Sequence, residues 1–113
     1  MDISANDLTK WAKLNLGYLN VRLNRVNNIP YGKRKGTIEK GWADLQGYNE
    51  DGKYVMVEIK KLGDKISKEQ FERFSDCWNC GSLVYICTEV DNKPTLVEWS
   101  KIKSLKNIGL TKK

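Results

Sequence analysis

Apolar and polar residues alternate most clearly between Gly41 and Lys60. Two strand-like stretches, Gly41 to Tyr48 and Lys53 to Lys60, flank Asn49-Glu50-Asp51-Gly52, the pattern of a β-hairpin. Glu50, Asp51 and Gly52 suit a three-residue loop in which Gly52 takes the left-handed conformation of a G1 bulge. With Asn49 facing Lys53, counting back along both arms sets Asp44 directly opposite Glu58. Side chains alternate along a strand, so Val55, Val57 and Ile59 form one face and Met56, Glu58 and Lys60 the other.

The remaining elements are read from the same periodicities. A helix is expected from about Ala5 to Leu16, with Ser4 or Asn6 as its cap, Gly17 as its stop and a modest apolar stripe of Leu8, Trp11 and Ala12. Leu19, Val21 and Leu23 then alternate with Asn20, Arg22 and Asn24, a strand whose polar members could share the polar face of the hairpin or simply be solvated. Residues 27–40 contain Asn27-Asn28, Pro30, two glycines and Lys33-Arg34-Lys35, and read as an irregular connection. After the hairpin, Ser67 and Gln70 form a capping box, Ile66 and Phe71 a hydrophobic staple, and Phe71, Phe74 and Trp78 the apolar stripe of the clearest helix, which Gly81 ends. Leu83 to Cys87 is a continuous apolar run, as in a strand buried on both faces. The intervening helix is long enough to make this strand parallel to the hairpin's second arm. A turn at Asp91 to Pro94 leads to a last strand, Thr95 to Trp99. Ser100 is a candidate cap for a short closing helix with Ile102, Leu105 and Ile108, before a tail from about Gly109 expected to be frayed.

Composition narrows the class. The 113 residues are 40% hydrophobic and 30% charged, which suits one soluble α/β domain spanning 1–113 without disulfide staples. There is no apolar run long enough for a membrane span or a signal-peptide core, so a cytoplasmic location and no membrane partner are expected. Three cysteines and no histidine disfavour a four-ligand zinc site from Cys77-Trp78-Asn79-Cys80 plus Cys87, and favour packing thiols in a reducing compartment. The four tryptophans, Trp11, Trp42, Trp78 and Trp99, are candidates for a dimer interface or for the core, and the core is the favoured place. Twenty Lys plus Arg against fourteen Asp plus Glu leave a formal charge of +6, which favours polyanionic partners. Arg22, Lys33, Arg34, Lys35 and Lys61 are the candidate phosphate contacts.

The predicted register carries the chemistry. Like charges directly opposed in a sheet are unfavourable, so Asp44 beside Glu58 calls for a cation. Two carboxylates hold a hard divalent metal that keeps several waters, and a neighbouring ammonium, Lys60, can orient an attacking water or stabilise a phosphoryl transition state. The alternative is a surface hairpin with scattered charges and a Glu58–Lys60 ion pair.

Gly41-Trp42-Ala43-Asp44-Leu45, Val57-Glu58-Ile59-Lys60-Lys61 and Ser67-Lys68-Glu69-Gln70 together resemble the VRR-NUC branch of the PD-(D/E)XK nuclease superfamily, over roughly Leu14 to Thr88. The resemblance implies a restriction-endonuclease-like α-β-β-β-α-β core with a mixed sheet flanked by helices. It also implies a site in which Asp44, Glu58 and the backbone carbonyl of Ile59 ligate Mg²⁺ or Mn²⁺, Lys60 is the catalytic lysine, and Gln70 points to the same site. On this reading Gln70 serves either the site or the helix cap, since one rotamer is not expected to do both. Small stand-alone members, many of them phage-encoded, act as homodimers on branched DNA such as Holliday junctions. The chain departs from the family in lacking a first-helix glutamate, for which Asp2 or Asp7 is the substitute, and in lacking a proline before Asp44. The expected function is thus a metal-dependent, structure-selective endodeoxyribonuclease. The alternatives are a nucleic-acid-binding protein that keeps the fold without catalysis and a small protein-interaction factor.

Overall fold

Residues 3–25, 43–61, 63–102 and 111–112 are described by a computed structural model. The basic triplet Lys33-Arg34-Lys35, Asp2, Trp42 and the expected closing helix at Leu105 and Ile108 lie outside them. The described chain runs α1 (Ala5–Gly17), β1 (Arg22–Arg25), β2 (Leu45–Tyr48), β3 (Tyr54–Ile59), β4 (Lys65–Ile66), α2 (Lys68–Asn79), β5 (Leu83–Val90), β6 (Lys93–Glu98), a 3₁₀ turn (Trp99–Lys101) and β7 (Thr111–Lys112). It is an α/β fold: a mixed five-stranded sheet in the order β1-β2-β3-β5-β6 flanked by two helices, as expected of a restriction-endonuclease-like core. No helix among the described residues is long and apolar enough to cross a membrane.

The hairpin has the predicted register. Gly52 sits at φ 76°, the Asn49 N–H donates to the Lys53 carbonyl at 3.0 Å, and Leu45 pairs with Val57. The next pair toward the open end is therefore Asp44 and Glu58. β1 lies antiparallel on the outer edge of β2, with Leu23 opposite Gly47. A Cβ at Gly47 would run into the Arg22 carbonyl, so this glycine lets β1 approach.

The two ends of α2 follow local chemistry. Ser67 Oγ accepts the Gln70 N–H, the Gln70 side chain accepts the Ser67 N–H, and the capping box is complete. At the other end Gly81 takes φ 97°; its N–H donates to Trp78 and that of Ser82 to Cys77, which is a Schellman stop. α2 then carries the chain over to β5, parallel to β3 with Ile59 opposite Cys87. β6 returns antiparallel through Asp91 and Asn92, both left-handed, the requirement of a two-residue type I′ turn. Its Pro94 is tolerated because β6 is an edge.

Several boundaries differ from expectation: the first strand is Arg22–Arg25, β5 runs on to Val90, and the last strand is Lys93–Glu98 instead of Thr95 to Trp99. α1 has Ser4 as its cap but runs through Gly17, and the left-handed residue is Asn20 at φ 61°, whose short polar side chain tolerates that region. Ser100 lies inside the 3₁₀ turn and bonds Glu98 instead of capping a helix. The C-terminal segment expected to fray instead supplies β7, which pairs in parallel with β4. The thiols also divide: Cys87 is buried, Cys77 partly buried and Cys80 exposed, so only Cys87 is the fully packed thiol anticipated. Trp99 is buried and meets Phe71 and Phe74 edge to face at 5.5 and 5.4 Å, while Trp11 and Trp78 pack at the margins of the core.

The core has two layers. Leu8, Ala12 and Leu16 of α1 cover Leu23, Leu45, Val55, Val57, Ile59 and Cys87 on one face. Phe74 of α2, Ile66 and Trp99 cover Met56, Val84 and Ile86 on the other. Glu58 and Lys60, by strand alternation, belong to this second face.

Candidate active site

Asp44 precedes β2 and Glu58 lies near the end of β3, and each carboxylate is anchored by the other strand's backbone. The Asp44 N–H donates to Glu58 Oε1 and the Ile59 N–H to Asp44 Oδ2, both at 3.1 Å. Glu58 is 4% exposed. Its Oε2 accepts from Gln70 Nε2 at 2.6 Å and faces Lys60 Nζ at 3.1 Å. Lys60 follows β3 and its N–H continues the ladder to the Cys87 carbonyl, which turns its side chain to the Glu58 face. Its ammonium is held by three acceptors: Glu58 Oε2, the Lys65 carbonyl at 2.9 Å and Gln70 Oε1 at 3.0 Å. The ammonium has three donors, and the geometry uses all of them.

Gln70 corrects the expectation that it must serve either cap or site. Its Oε1 accepts both the Ser67 N–H and Lys60 Nζ, while its Nε2 donates to Glu58. An amide has an acceptor end with two lone pairs and a donor end, so a single rotamer closes the capping box and bridges the two charged residues. The helix start fixes the site geometry directly.

Burial is the main reason the Glu58 carboxyl is pushed up to about 7, and the facing Asp44 charge adds to it; Lys60 opposes both. The opposed carboxylates are thus an electrostatic liability that the lysine only partly offsets. A second cation would relieve it. Asp44 is half-buried, and the Ile59 N–H already points to it. A residue's N–H and C=O lie on the same side of a strand, so the Ile59 carbonyl also opens toward Asp44. Two carboxylates and a carbonyl are hard oxygen donors of the kind that hold Mg²⁺ while most of its waters remain. Among the described residues no group of three or more acidic, thiol or imidazole side chains could hold a metal.

Asp7 is not brought to this pair. It is exposed in the first turn of α1, where its N–H meets the Ser4 cap. Its helix packs on the other face of the sheet, tied there by the Ile3 N–H donating to buried Glu89 at 2.7 Å. Arg22 is exposed on the same face as Glu58 but two rows away, opposite Tyr48. Lys61 is exposed just beyond Lys60, its N–H bound by Asp64. Nothing in the residue pattern points to the Lys65 carbonyl, because a main-chain acceptor carries no side-chain signature. Thr88, fully buried opposite Lys60 with an unpartnered hydroxyl, could have been found by extending the parallel register one step beyond Ile59 and Cys87.

The VRR-NUC domain model matches residues 28–91, a span holding the hairpin, Lys60, α2 and all of β5. The chain belongs to the VRR-NUC family. The match supports a nuclease, and it includes all four residues of the Asp44, Glu58, Lys60 and Gln70 cluster. No curated protein matches the chain in sequence.

Proposed function

We propose that this VRR-NUC protein is a Mg²⁺-dependent endodeoxyribonuclease in which Asp44, Glu58, Lys60 and Gln70 are the catalytic group. The observation that carries the reading is the buried Glu58 carboxylate paired with both Asp44 and a fully coordinated lysine. The metal would be held by Asp44, Glu58 and the Ile59 carbonyl, with Mn²⁺ able to substitute. When bound, it supplies the charge that polarises a phosphoryl oxygen and lowers the pKa of water. The protein's own groups supply position. Lys60 places its positive charge beside the phosphate and, on substrate binding, exchanges one of its three present acceptors for the attacking water or a phosphate oxygen, while the acceptors it keeps among Gln70, the Lys65 carbonyl and Glu58 fix where that ammonium sits. Lys61, Arg22 and the triplet Lys33, Arg34 and Lys35 supply phosphate contacts. Branched DNA, including four-way junctions, is the substrate class and a homodimer the acting species, since paired cuts suit a two-fold assembly.

The test is incubation of the protein with four-way-junction and linear DNA in Mg²⁺, in Mn²⁺ and in excess chelator. Nicks that need the metal and favour the junction are expected; undiminished cleavage in chelator contradicts the mechanism. A second reading, nucleic-acid binding without catalysis, draws on the lack of a third metal-ligating acid among the described residues. It predicts salt-dependent binding and no product with either metal.

A further inference from the structure

The α2 layer covers only part of its sheet face. Met56, Val84 and Ile86 are buried beneath it, whereas Arg22, Asn24 and Tyr48 are exposed and Gln46 is half-buried. Directly paired residues share a face, so Arg22 with Tyr48 and Asn24 with Gln46 form two rows continuous with the Asp44–Glu58 row. Tyr48 is four residues from Asp44, about 13 Å along the strand.

We propose that this open β1–β2 surface is the track for an unpaired, single-stranded stretch of the nucleic-acid substrate, with Tyr48 as a base-stacking platform. The inference rests on the nuclease reading and specifies how substrate reaches that site. Tyr48 is 55% exposed, and an aromatic face accepts any unstacked base. A duplex keeps its base faces inside the stack, so only an unpaired segment can use the ring. The Asn24 and Gln46 amides offer both donors and acceptors to base edges, and Arg22 offers a guanidinium to phosphate. The four strip residues include no aliphatic side chain, which disfavours an apolar protein partner.

Beyond Tyr48 the strip meets a cleft of about 450 Å³ bordered by Arg22, Asn20, Asn49 and Glu50. Asn20 Nδ2 donates to Glu50 Oε2 at 3.2 Å. A wall of amides and a carboxylate suits the hydrogen-bonding edge of a base and repels a phosphate, so the backbone is placed on the Arg22 side.

Steady-state cleavage in Mg²⁺ of a forked duplex with a single-stranded arm, compared with a blunt duplex of the same paired sequence, tests this. The parent is expected to show the lower KM on the fork. Tyr48→Ala should raise KM for the fork about tenfold with kcat and blunt-duplex KM little changed; Tyr48→Phe should restore the parent value. Arg22→Gln should raise the fork KM more than the blunt-duplex KM, and that difference decides the matter if Tyr48→Ala does not fold; an equal rise on both substrates overturns the track. Unchanged fork KM in these variants, or equal KM for both substrates in the parent, overturns the track and leaves the nuclease reading standing. A folded parent that cleaves neither substrate overturns the track, and one that also leaves a four-way junction uncut overturns the nuclease reading as well.

Discussion

On the α1 side of the sheet, Leu23, Leu45, Val55, Val57, Ile59 and Cys87 meet Leu8, Ala12 and Leu16 in an apolar layer. On the α2 side, the apolar packing of Met56, Val84, Ile86 and Phe74 stops at the Asp44–Glu58 row, where two carboxylates, an ammonium and an amide are gathered instead. The same strand, β3, contributes to both faces by alternation. Ion pairs taken out of water gain little unless every donor and acceptor is satisfied, and Glu58, with its carboxyl pushed up to about 7, shows the remaining cost. The apolar face can therefore be assigned stability and the polar end of the other face chemistry. That division can be broken by experiment.

The largest effect is expected from Lys60→Met, which keeps the stem and removes the ammonium. Cleavage should fall by about 10²–10⁴-fold while DNA binding persists, as read from single-turnover rates and a binding isotherm. An active Lys60→Met protein would remove the lysine from the mechanism. On the opposite face, Leu8→Ala should cost about 2–5 kcal/mol in denaturant unfolding, with the cleavage rate per folded molecule unchanged. A large fall in that rate would show that the two faces are not separable.

The pH dependence of stability isolates Glu58. In metal-free protein its carboxyl titrates at about 7 instead of the ordinary 4.5. Between those values the folded state holds a proton that the unfolded state releases, so stability falls as pH rises through the window and levels above it. The effect is at most on the order of 3 kcal/mol. Glu58→Gln should remove this contribution, measured as the difference between the two proteins in urea titrations from pH 4 to 8; parallel pH profiles would contradict the assignment.

The smallest contrast separates cap from site. Ser67→Ala and Gln70→Ala should each cost about 1 kcal/mol through the capping box, but only Gln70→Ala should also lower kcat, because Gln70 alone also touches Lys60 and Glu58. Equal kcat values would mean that the amide serves the helix alone.

Much of the fold could be read from local chemistry. Asn49 to Gly52 fixed the hairpin register, and with it the Asp44–Glu58 pairing; Ser67, Gln70 and Gly81 fixed both ends of α2. The parallel pairing of β3 with β5 followed from the length of the crossover. What escaped depended on distant partners or on more than one role for a group. β4 and β7 are two residues each, too short for a periodic signal, and they pair across the chain. Asp7 has the right type and helix, but only packing reveals that α1 covers the other face. Gln70 would have to choose between cap and site if its side chain made one contact, but its two ends make three, which residue type alone does not reveal.

The central claim is that Asp44 and Glu58 form the cation cradle of this VRR-NUC domain. A crystal structure grown with Mn²⁺, with the metal located by its anomalous scattering, tests it most directly. One strong peak bound by Asp44, Glu58 and the Ile59 carbonyl is expected, with Lys60 still held by Gln70. A fully occupied Mn²⁺ elsewhere, with the Asp44–Glu58 pair bridged only by its present hydrogen bonds, would contradict it.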